Sequence, residues 1–274
     1  MINSTFFNIF RKGSKTFFYS SLFFPSEIRD DVFAFYSFVR TADNFVDTLP
    51  QQKKQFFDFK KILFSELSGK PSQHPIISEF VNLANKYSFK NSWIKSFMSA
   101  MESDLNPQKK LTDKQLATYI HGSAEVIGLM LATIFKVEKA AYPAAKKLGR
   151  AMQLINFIRD IDEDNNLGRV YFTKKDLSTF GLKDLKYSTT HKNPEGFKKF
   201  VRFQIAKYHQ INNQGKKGYQ YLPFELLTPV KTATNMYEWT AQQIQNDPFI
   251  VYRKKVKPPV SHIIYQLGRN SLSL

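Results

Sequence analysis

The chain has 274 residues, 42% of them hydrophobic and 15% aromatic with 27 phenylalanines, enough to fill one large core and too apolar for a disordered segment. It contains no cysteine, which excludes disulfide frameworks, thiol chemistry and cysteine-ligated zinc or iron–sulfur centres, and which suits a reducing cytoplasm. Forty Lys and Arg against 23 Asp and Glu give a formal charge of +17, favouring phosphorylated substrates, an anionic lipid surface or nucleic acid.

Helical periodicity dominates, and no repeat or composition shift divides the chain, so residues 1–274 read as a single all-α domain, a helical bundle around a central active-site cavity. A first helix is expected near 4–20. The next begins after Phe24-Pro25, with Ser26 available as a cap and Glu27, Asp30 and Asp31 in its first turns, and runs to about Asp47. Further helices are expected over 51–68, 75–88, 91–103, 112–135, 140–164, 193–221 and 230–246, with Gly168 as a stop just past the acidic end of the 140–164 helix. No segment reads as a signal peptide or a membrane span, the longest apolar run being Val126 to Phe135. The basic excess is scattered in doublets, Lys53-Lys54, Lys60-Lys61, Lys109-Lys110, Lys146-Lys147, Lys198-Lys199 and Lys216-Lys217, as on solvated helix faces rather than on one nucleic-acid-reading element.

Two helices carry a polar line where apolar residues should be. Tyr36, Arg40, Asp43 and Asp47 recur at steps of four, three and four, among Val32, Phe33, Phe35, Phe38, Val39, Phe45 and Val46. Gln153, Asn156, Asp160 and Asp164 repeat the pattern among Leu154, Ile155, Phe157, Ile158 and Ile161, with Arg159 beside them. Two carboxylates one helical turn apart repel unless a cation lies near, and an all-oxygen set selects a hard ion such as magnesium bridging to phosphate. A lone Asp-x-x-x-Asp pair is commonly a solvated face; two pairs embedded in apolar helices point to diphosphate held through metal. A third stretch, Tyr119 to Met130, aligns Tyr119, Ser123, Ile127 and Met130, with small residues at Gly122, Ser123, Ala124 and Gly128 that serve either close helix packing or a hydrocarbon slot.

Together these stretches resemble the squalene/phytoene synthase family, phytoene synthases most. The resemblance rests on Ser14-Lys15-Thr16-Phe17-Phe18, on Ala34 to Asp47, on Tyr119 to Met130, and on Gln153 to Asp164 followed by Gly168-Arg169-Val170-Tyr171-Phe172. It implies an isoprenoid-synthase-type bundle and head-to-head (1′-1) condensation of two allylic diphosphates. Asp43, Asp47, Asp160 and Asp164 would be both catalytic and metal ligands for Mg2+, with Mn2+ an alternative. Arg40, Arg159 and Tyr119 would join them in catalysis. Substrate would be bound by Ser14, Thr16, Phe17, Tyr36, Ser123, Ala124, Ile127, Gly128, Gln153, Asn156, Tyr237, Arg253 and Lys255. Geranylgeranyl diphosphate giving phytoene is the expected reaction, in carotenoid biosynthesis. Farnesyl diphosphate giving squalene or dehydrosqualene is the alternative, with NADPH required only for squalene, and a non-catalytic assembly factor on the same fold is a remote one. The chain departs from the family pattern at Gly13, where some members have histidine, at Asn44, and at Ser123-Ala124-Glu125 in place of Val-Ala-Gly. A nucleic-acid binder would leave both acidic stripes unexplained. The basic, apolar stretch from Phe249 to Pro259 suggests peripheral contact with the inner membrane surface. The sequence does not indicate an oligomeric state.

Overall fold

The computed structural model describes residues 4–107 and 111–272, so the Lys109-Lys110 doublet lies outside the described residues. Among those described there is no strand, only an isolated bridge between Leu111 and Thr173.

The expected N-terminal helix is two helices, α1 (Ser4–Gly13) and α2 (Lys15–Ser21). Ser14 leaves helical geometry between them, and its side chain accepts a hydrogen bond from the Phe17 amide at 3.2 Å, so it caps α2. The expected helix after Phe24-Pro25 is α3 (Ser26–Asp47), 22 residues long; Pro25 rather than Ser26 stands at its cap, with no side-chain capping bond. There follow α4 (Lys53–Leu67), α5 (Pro75–Lys86) and α6 (Asn91–Ser103). Then α7 (Asp113–Ile120) begins with a capping box between Thr112 and Gln115 and passes through a π-helical turn, His121–Glu125, into α8 (Val126–Ile134). By length and composition Asp113–Ile134 is apolar enough to cross a bilayer, yet Ile120, Val126, Met130 and Ile134 are all core residues.

The expected 140–164 helix breaks at Asp160 into α9 (Tyr142–Arg159) and α10 (Ile161–Asn166). Gly168, at φ +72°, ends it as expected. Two short helices that the periodicity did not reveal, α11 (Lys174–Thr179) and α12 (Tyr187–Thr190), precede α13 (Pro194–Lys216). The helix expected from 230 begins six residues earlier as α14 (Phe224–Asn246), carrying Pro229 inside it. A further helix, α15 (Val260–Leu272), follows residues 249–259 and is not among the expected ones.

Two apolar clusters build the core. One joins phenylalanines of α1 to α6 with α8, Phe38 stacking on Phe80 at 3.6 Å between ring centres. The other joins α9, α13 and α14 around Ile155, Phe200 and Tyr208. Phe17 and Tyr119 pack against both. The cavities described next are lined from both sides, by α1 to α3 of the first half and by α9 and α14 of the second.

Candidate active site

Two cavities meet inside the bundle. The larger, about 460 Å³, has mostly apolar walls that include Phe17, Val39, Ile127, Leu131, Phe135, Leu148 and Met236. The second, about 440 Å³, is walled by carboxylates, arginines and amides. Arg40, Asp43, Gln153, Asn156, Arg159 and Lys255 line both, so the charged space opens onto the apolar one.

The two stripes supply that junction. On α3, Arg40 donates to Asp43 at 2.6 Å, as the three-residue spacing allows. Burial, then the charge of Asp47, pushes the Asp43 carboxyl up to about 7. On the other stripe Arg159 forks onto Asp160 through Nε and Nη2 at 2.8 and 2.6 Å. Burial alone would raise the Asp160 carboxyl, but Arg159 and then Lys255 outweigh it and hold the group below its ordinary value. Burial and the neighbouring Asp160 push Asp164 up to about 8. All four aspartates line the polar cavity. Among the described residues no three acidic or imidazole groups converge into a ready-made metal cage.

The remaining sequence candidates are distributed by the helices that carry them. Ser14, Thr16, Phe17 and Tyr36 line the apolar cavity beside Arg40. A Cβ on Gly13 would lie 2.5 Å from the Tyr36 hydroxyl, so a larger residue there would displace Tyr36. Burial raises the Tyr36 phenol, which therefore stays a proton-bearing donor. Ser123, Ala124, Ile127 and Gly128 line the same cavity, whereas Tyr119 lines the polar one. From Ser123 and Ile127 the cavity-facing line continues in steps of four through Leu131 and Phe135, and Met130, expected on it, is buried in the core instead. The small residues serve both ends their pattern suggested: a Cβ on Gly122 would clash with the Ser96 carbonyl, while Gly128 lies against the Ala145 backbone and still faces the cavity. Glu125 points to neither cavity; it is buried in ion pairs with Arg150 at 2.6 Å and Lys146 at 3.3 Å.

Gln153, Asn156 and Tyr237 stand at the junction side, Asn156 donating to Gln153 at 3.4 Å. Ser123 Oγ and Asn156 Oδ1 are buried without a protein hydrogen-bond partner, both against the cavity. Arg253, expected to bind substrate, is not there: its exposed guanidinium pairs with Asp247. Two residues further on, Lys255 reaches Asp160 at 3.2 Å and also pairs with Glu163, and Lys257 lines the apolar cavity. The stretch from Phe249 to Pro259 is thus a strap beside the site with Val251 and Val256 buried, so those apolar side chains do not form a free surface.

Sequence reasoning missed a network between the stripes. Arg169, 4% exposed, donates to Asp47 Oδ1 and to the Val46 carbonyl, each at 2.6 Å, and to the Asp104 carbonyl at 3.3 Å. The Asp104 carboxylate accepts from Tyr119 at 2.8 Å and Tyr171 at 2.7 Å. Burial raises it to about 6, with Arg169 and both hydroxyls opposing. Asp104 was concealed as a single acid at a helix end. Arg169 and Tyr171 lay inside the motif Gly168–Phe172, whose fixed order was the available signal.

Such an arrangement can hold a polyanion at the charged end and an apolar chain behind it. The sequence pattern of the squalene/phytoene synthase family matches residues 10–262. The chain is 24% identical to a 15-cis-phytoene synthase of Synechococcus elongatus over 265 residues, 90% of this chain and 84% of that one. It is 28% identical to a 4,4'-diapophytoene synthase of Staphylococcus haemolyticus over 181 residues, 64% of this chain and 63% of that protein's length. A crystal structure of a dehydrosqualene synthase superposes with a TM-score of 0.80 at 20% identity, covering 98% of this chain and 95% of the other. A squalene synthase of Alicyclobacillus acidocaldarius gives 0.77 at 20% identity, covering 89% and 93%. The shared all-α isoprenoid synthase fold and the family match across most of its length establish that this chain belongs to the squalene/phytoene synthase family.

Proposed function

We propose that the chain joins two geranylgeranyl diphosphates head-to-head into phytoene, through a cyclopropylcarbinyl diphosphate. The observation that carries this reading is the junction at Arg40, Asp43, Gln153, Asn156, Arg159 and Lys255, where a charged cavity adjoins an apolar one. Over the whole reaction two carbon–oxygen bonds to diphosphate break, a carbon–carbon double bond forms between the two C1 atoms, and two protons are lost, one as the cyclopropane closes and one as the last cation becomes the central alkene. Arg40, Arg159, Lys255 and Lys257 are placed to hold the diphosphates and to take up the negative charge that grows as each leaves. Phe17 and Tyr237, whose rings lie 5.7 Å apart, present aromatic faces to a carbocation without supplying a nucleophile. The apolar wall beyond them excludes water that would quench it.

The donor set fits magnesium. Asp43 and Asp47, and Asp160 and Asp164, offer only oxygen ligands, and Asp43 and Asp164 ionise reluctantly without an added cation. Magnesium usually takes one or two carboxylates together with substrate phosphate, which suits two separate pairs better than a closed cage. When bound it would neutralise diphosphate charge; the four aspartates are the residues that would hold it.

The choice of the longer substrate is supported by phytoene synthases among the relatives matched over most of their length. A second reading, farnesyl diphosphate giving dehydrosqualene, is favoured by the higher identity to the diapophytoene synthase over its shorter match. Incubation with magnesium and each diphosphate, with and without NADPH, followed by mass spectrometry of extracted hydrocarbons, separates them. Phytoene is expected from geranylgeranyl diphosphate, falling by about 10²–10³-fold in Asp43→Ala and in Asp160→Ala. Product only from farnesyl diphosphate would move the substrate assignment, with squalene formation depending on NADPH. No product from either would turn the reading to a non-catalytic relative.

A further inference from the structure

Among the cations that pair with the four aspartates, Lys255 is held differently from the rest. Arg40 and Arg159 stand on α3 and α9, and the buried Arg169 is also tied to two backbone carbonyls. Lys255 comes from the strap, where no helix holds the backbone, and its side chain is 32% exposed. Its one ammonium is shared between Asp160 Oδ1, at 3.2 Å, and Glu163. Buried Val251 and Val256 and the pairing of Arg253 with Asp247 anchor the strap on either side. The backbone at 255 is therefore fixed while the four-carbon stem is free to turn.

This sharing gives Asp160 more positive charge than its neighbour. Its two oxygens take the Arg159 fork at 2.8 and 2.6 Å, and Oδ1 takes Lys255 as well, whereas Asp164 has no ion pair within 4 Å among the described residues. A hard cation held by this pair draws on the same Asp160 oxygens and is repelled by an ammonium beside them. Arg159 would lose two bonds in yielding, the planar fork and both of its contacts. Lys255 would lose one contact, and it lines the apolar cavity as well as the charged one, so its stem stands at their junction. An ammonium turned that way meets the charged head of a molecule whose chain lies in the apolar cavity.

We propose that Lys255 is an exchangeable counter-ion: it rests on Asp160 and Glu163, yields Asp160 to a divalent metal and transfers to the substrate diphosphate. Metal and diphosphate then assist each other, because giving up one ion pair serves both. The inference rests on the reading of the aspartates as metal ligands for a prenyl diphosphate and adds a direction to it. Lys255 opposes metal binding in the absence of diphosphate and supports diphosphate only when metal is present. Lys257, two residues on, lines the apolar cavity but makes no ion pair within 4 Å among the described residues, so its removal leaves the exchange intact.

The test is titration of the purified full chain with Mn2+, read by electron paramagnetic resonance without any diphosphate, followed by binding of the uncleavable farnesyl thiodiphosphate with and without Mg2+. Lys255→Met should bind Mn2+ about fivefold more tightly than the parent, and Lys257→Met should differ by less than about twofold. With Mg2+ present, Lys255→Met should bind the thiodiphosphate about tenfold more weakly than the parent; without Mg2+ the two should agree within about twofold. Chelation of metal by the thiodiphosphate in solution is common to both proteins and cancels. Thermal melts check folding, and Lys255→Gln, which keeps a polar side chain, should repeat both results where the methionine variant does not fold. The proposal is overturned if Mn2+ binds the Lys255 variants no more tightly than the parent, or if Lys257→Met tightens it equally. It is also overturned if the thiodiphosphate loss is the same with and without Mg2+, which would make Lys255 a fixed diphosphate ligand. A parent that binds no Mn2+ overturns the metal reading and the exchange together; Mn2+ binding indifferent to Lys255 overturns the exchange alone, whichever hydrocarbon the chain makes.

Discussion

The two aspartate pairs share one spacing and differ in nearly everything that spacing does not set. Asp43 and Asp47 ride on an unbroken 22-residue helix, while Asp160 sits at the break between α9 and α10. On α3 each carboxylate takes a different arginine, Arg40 from one turn earlier and Arg169 from 122 residues downstream. At the break, Arg159 reaches the residue next to it with both nitrogens; on a continuous helix adjacent side chains diverge by about 100°. The break therefore satisfies Asp160 and leaves Asp164, which has no ion pair within 4 Å among the described residues and whose carboxyl is raised by burial and by the charge of Asp160. The kinked pair has the stronger demand for an added cation.

The harshest way to break this comparison is to remove the arginine that ties the straight pair to its surroundings. Arg169→Met would leave Asp47 and the Asp104 carboxylate facing a buried apolar side chain. A loss of about 3–5 kcal/mol in urea denaturation is expected, because the partners of a buried ion stay behind uncompensated. A loss below about 1 kcal/mol would mean that the network is effectively solvated and that Arg169 does not couple the pair to α6.

Asp164→Asn sharpens the comparison with a smaller effect of opposite sign. In the unfolded chain the carboxyl ionises near 3.8; in the folded metal-free chain it holds its proton to about 8. Between those values the folded state binds more protons, so stability falls as pH rises through this window and levels off above it. Asparagine cannot ionise, so the variant should escape this loss and exceed the parent at pH 8 by on the order of 2 kcal/mol, while losing activity. Asp43→Asn should gain less, since it takes the carboxylate away from Arg40, which pairs with it at 2.6 Å. Thermal melts across pH, with and without magnesium and diphosphate, read both; an equal gain in the two variants would contradict the asymmetry.

Both stripes were legible because polar residues recurring at helical steps inside apolar helices have no other packing explanation. The parts that were not legible are those whose meaning lies in a distant partner. Arg169 meets Asp47 and the Asp104 carbonyl across 122 and 65 residues, and nothing near Asp104 in sequence marks it as buried. The break at Asp160 was hidden because residues 140–164 keep helical periodicity through it. In the third stretch a step of three and a step of four from Ile127 look alike in sequence, yet the helix turns Leu131 to the cavity and Met130 into the core. In the C-terminal strap the family resemblance implied Arg253 and Lys255 alike; the backbone turns Lys255, and with it Lys257, to the cavities, while Arg253 pairs with Asp247. For α15, Ile263 and Leu267 at helical spacing after Pro258-Pro259 were the available signal, weak because the helix covers only one of its two apolar faces.

The smallest expected effect concerns the fifth carboxylate, which lies between the pairs. Tyr119→Phe removes one of the two hydroxyls that donate to Asp104, at a cost of about 1 kcal/mol once that group is ionised. The Asp104 carboxyl is already raised to about 6 by burial, and the Tyr119 hydroxyl is among the groups that hold it down, so its loss pushes the carboxyl further up. A raised carboxyl costs stability as pH increases from 3.8 to its folded value; raising it again extends that decline above about 6. The gap between parent and variant should therefore be small at pH 5 and open between pH 6 and 8. A gap of equal size at both ends would assign the hydroxyl to packing against Tyr171, whose ring stacks on it at 4.7 Å, and would separate Asp104 from the electrostatics of the two aspartate pairs.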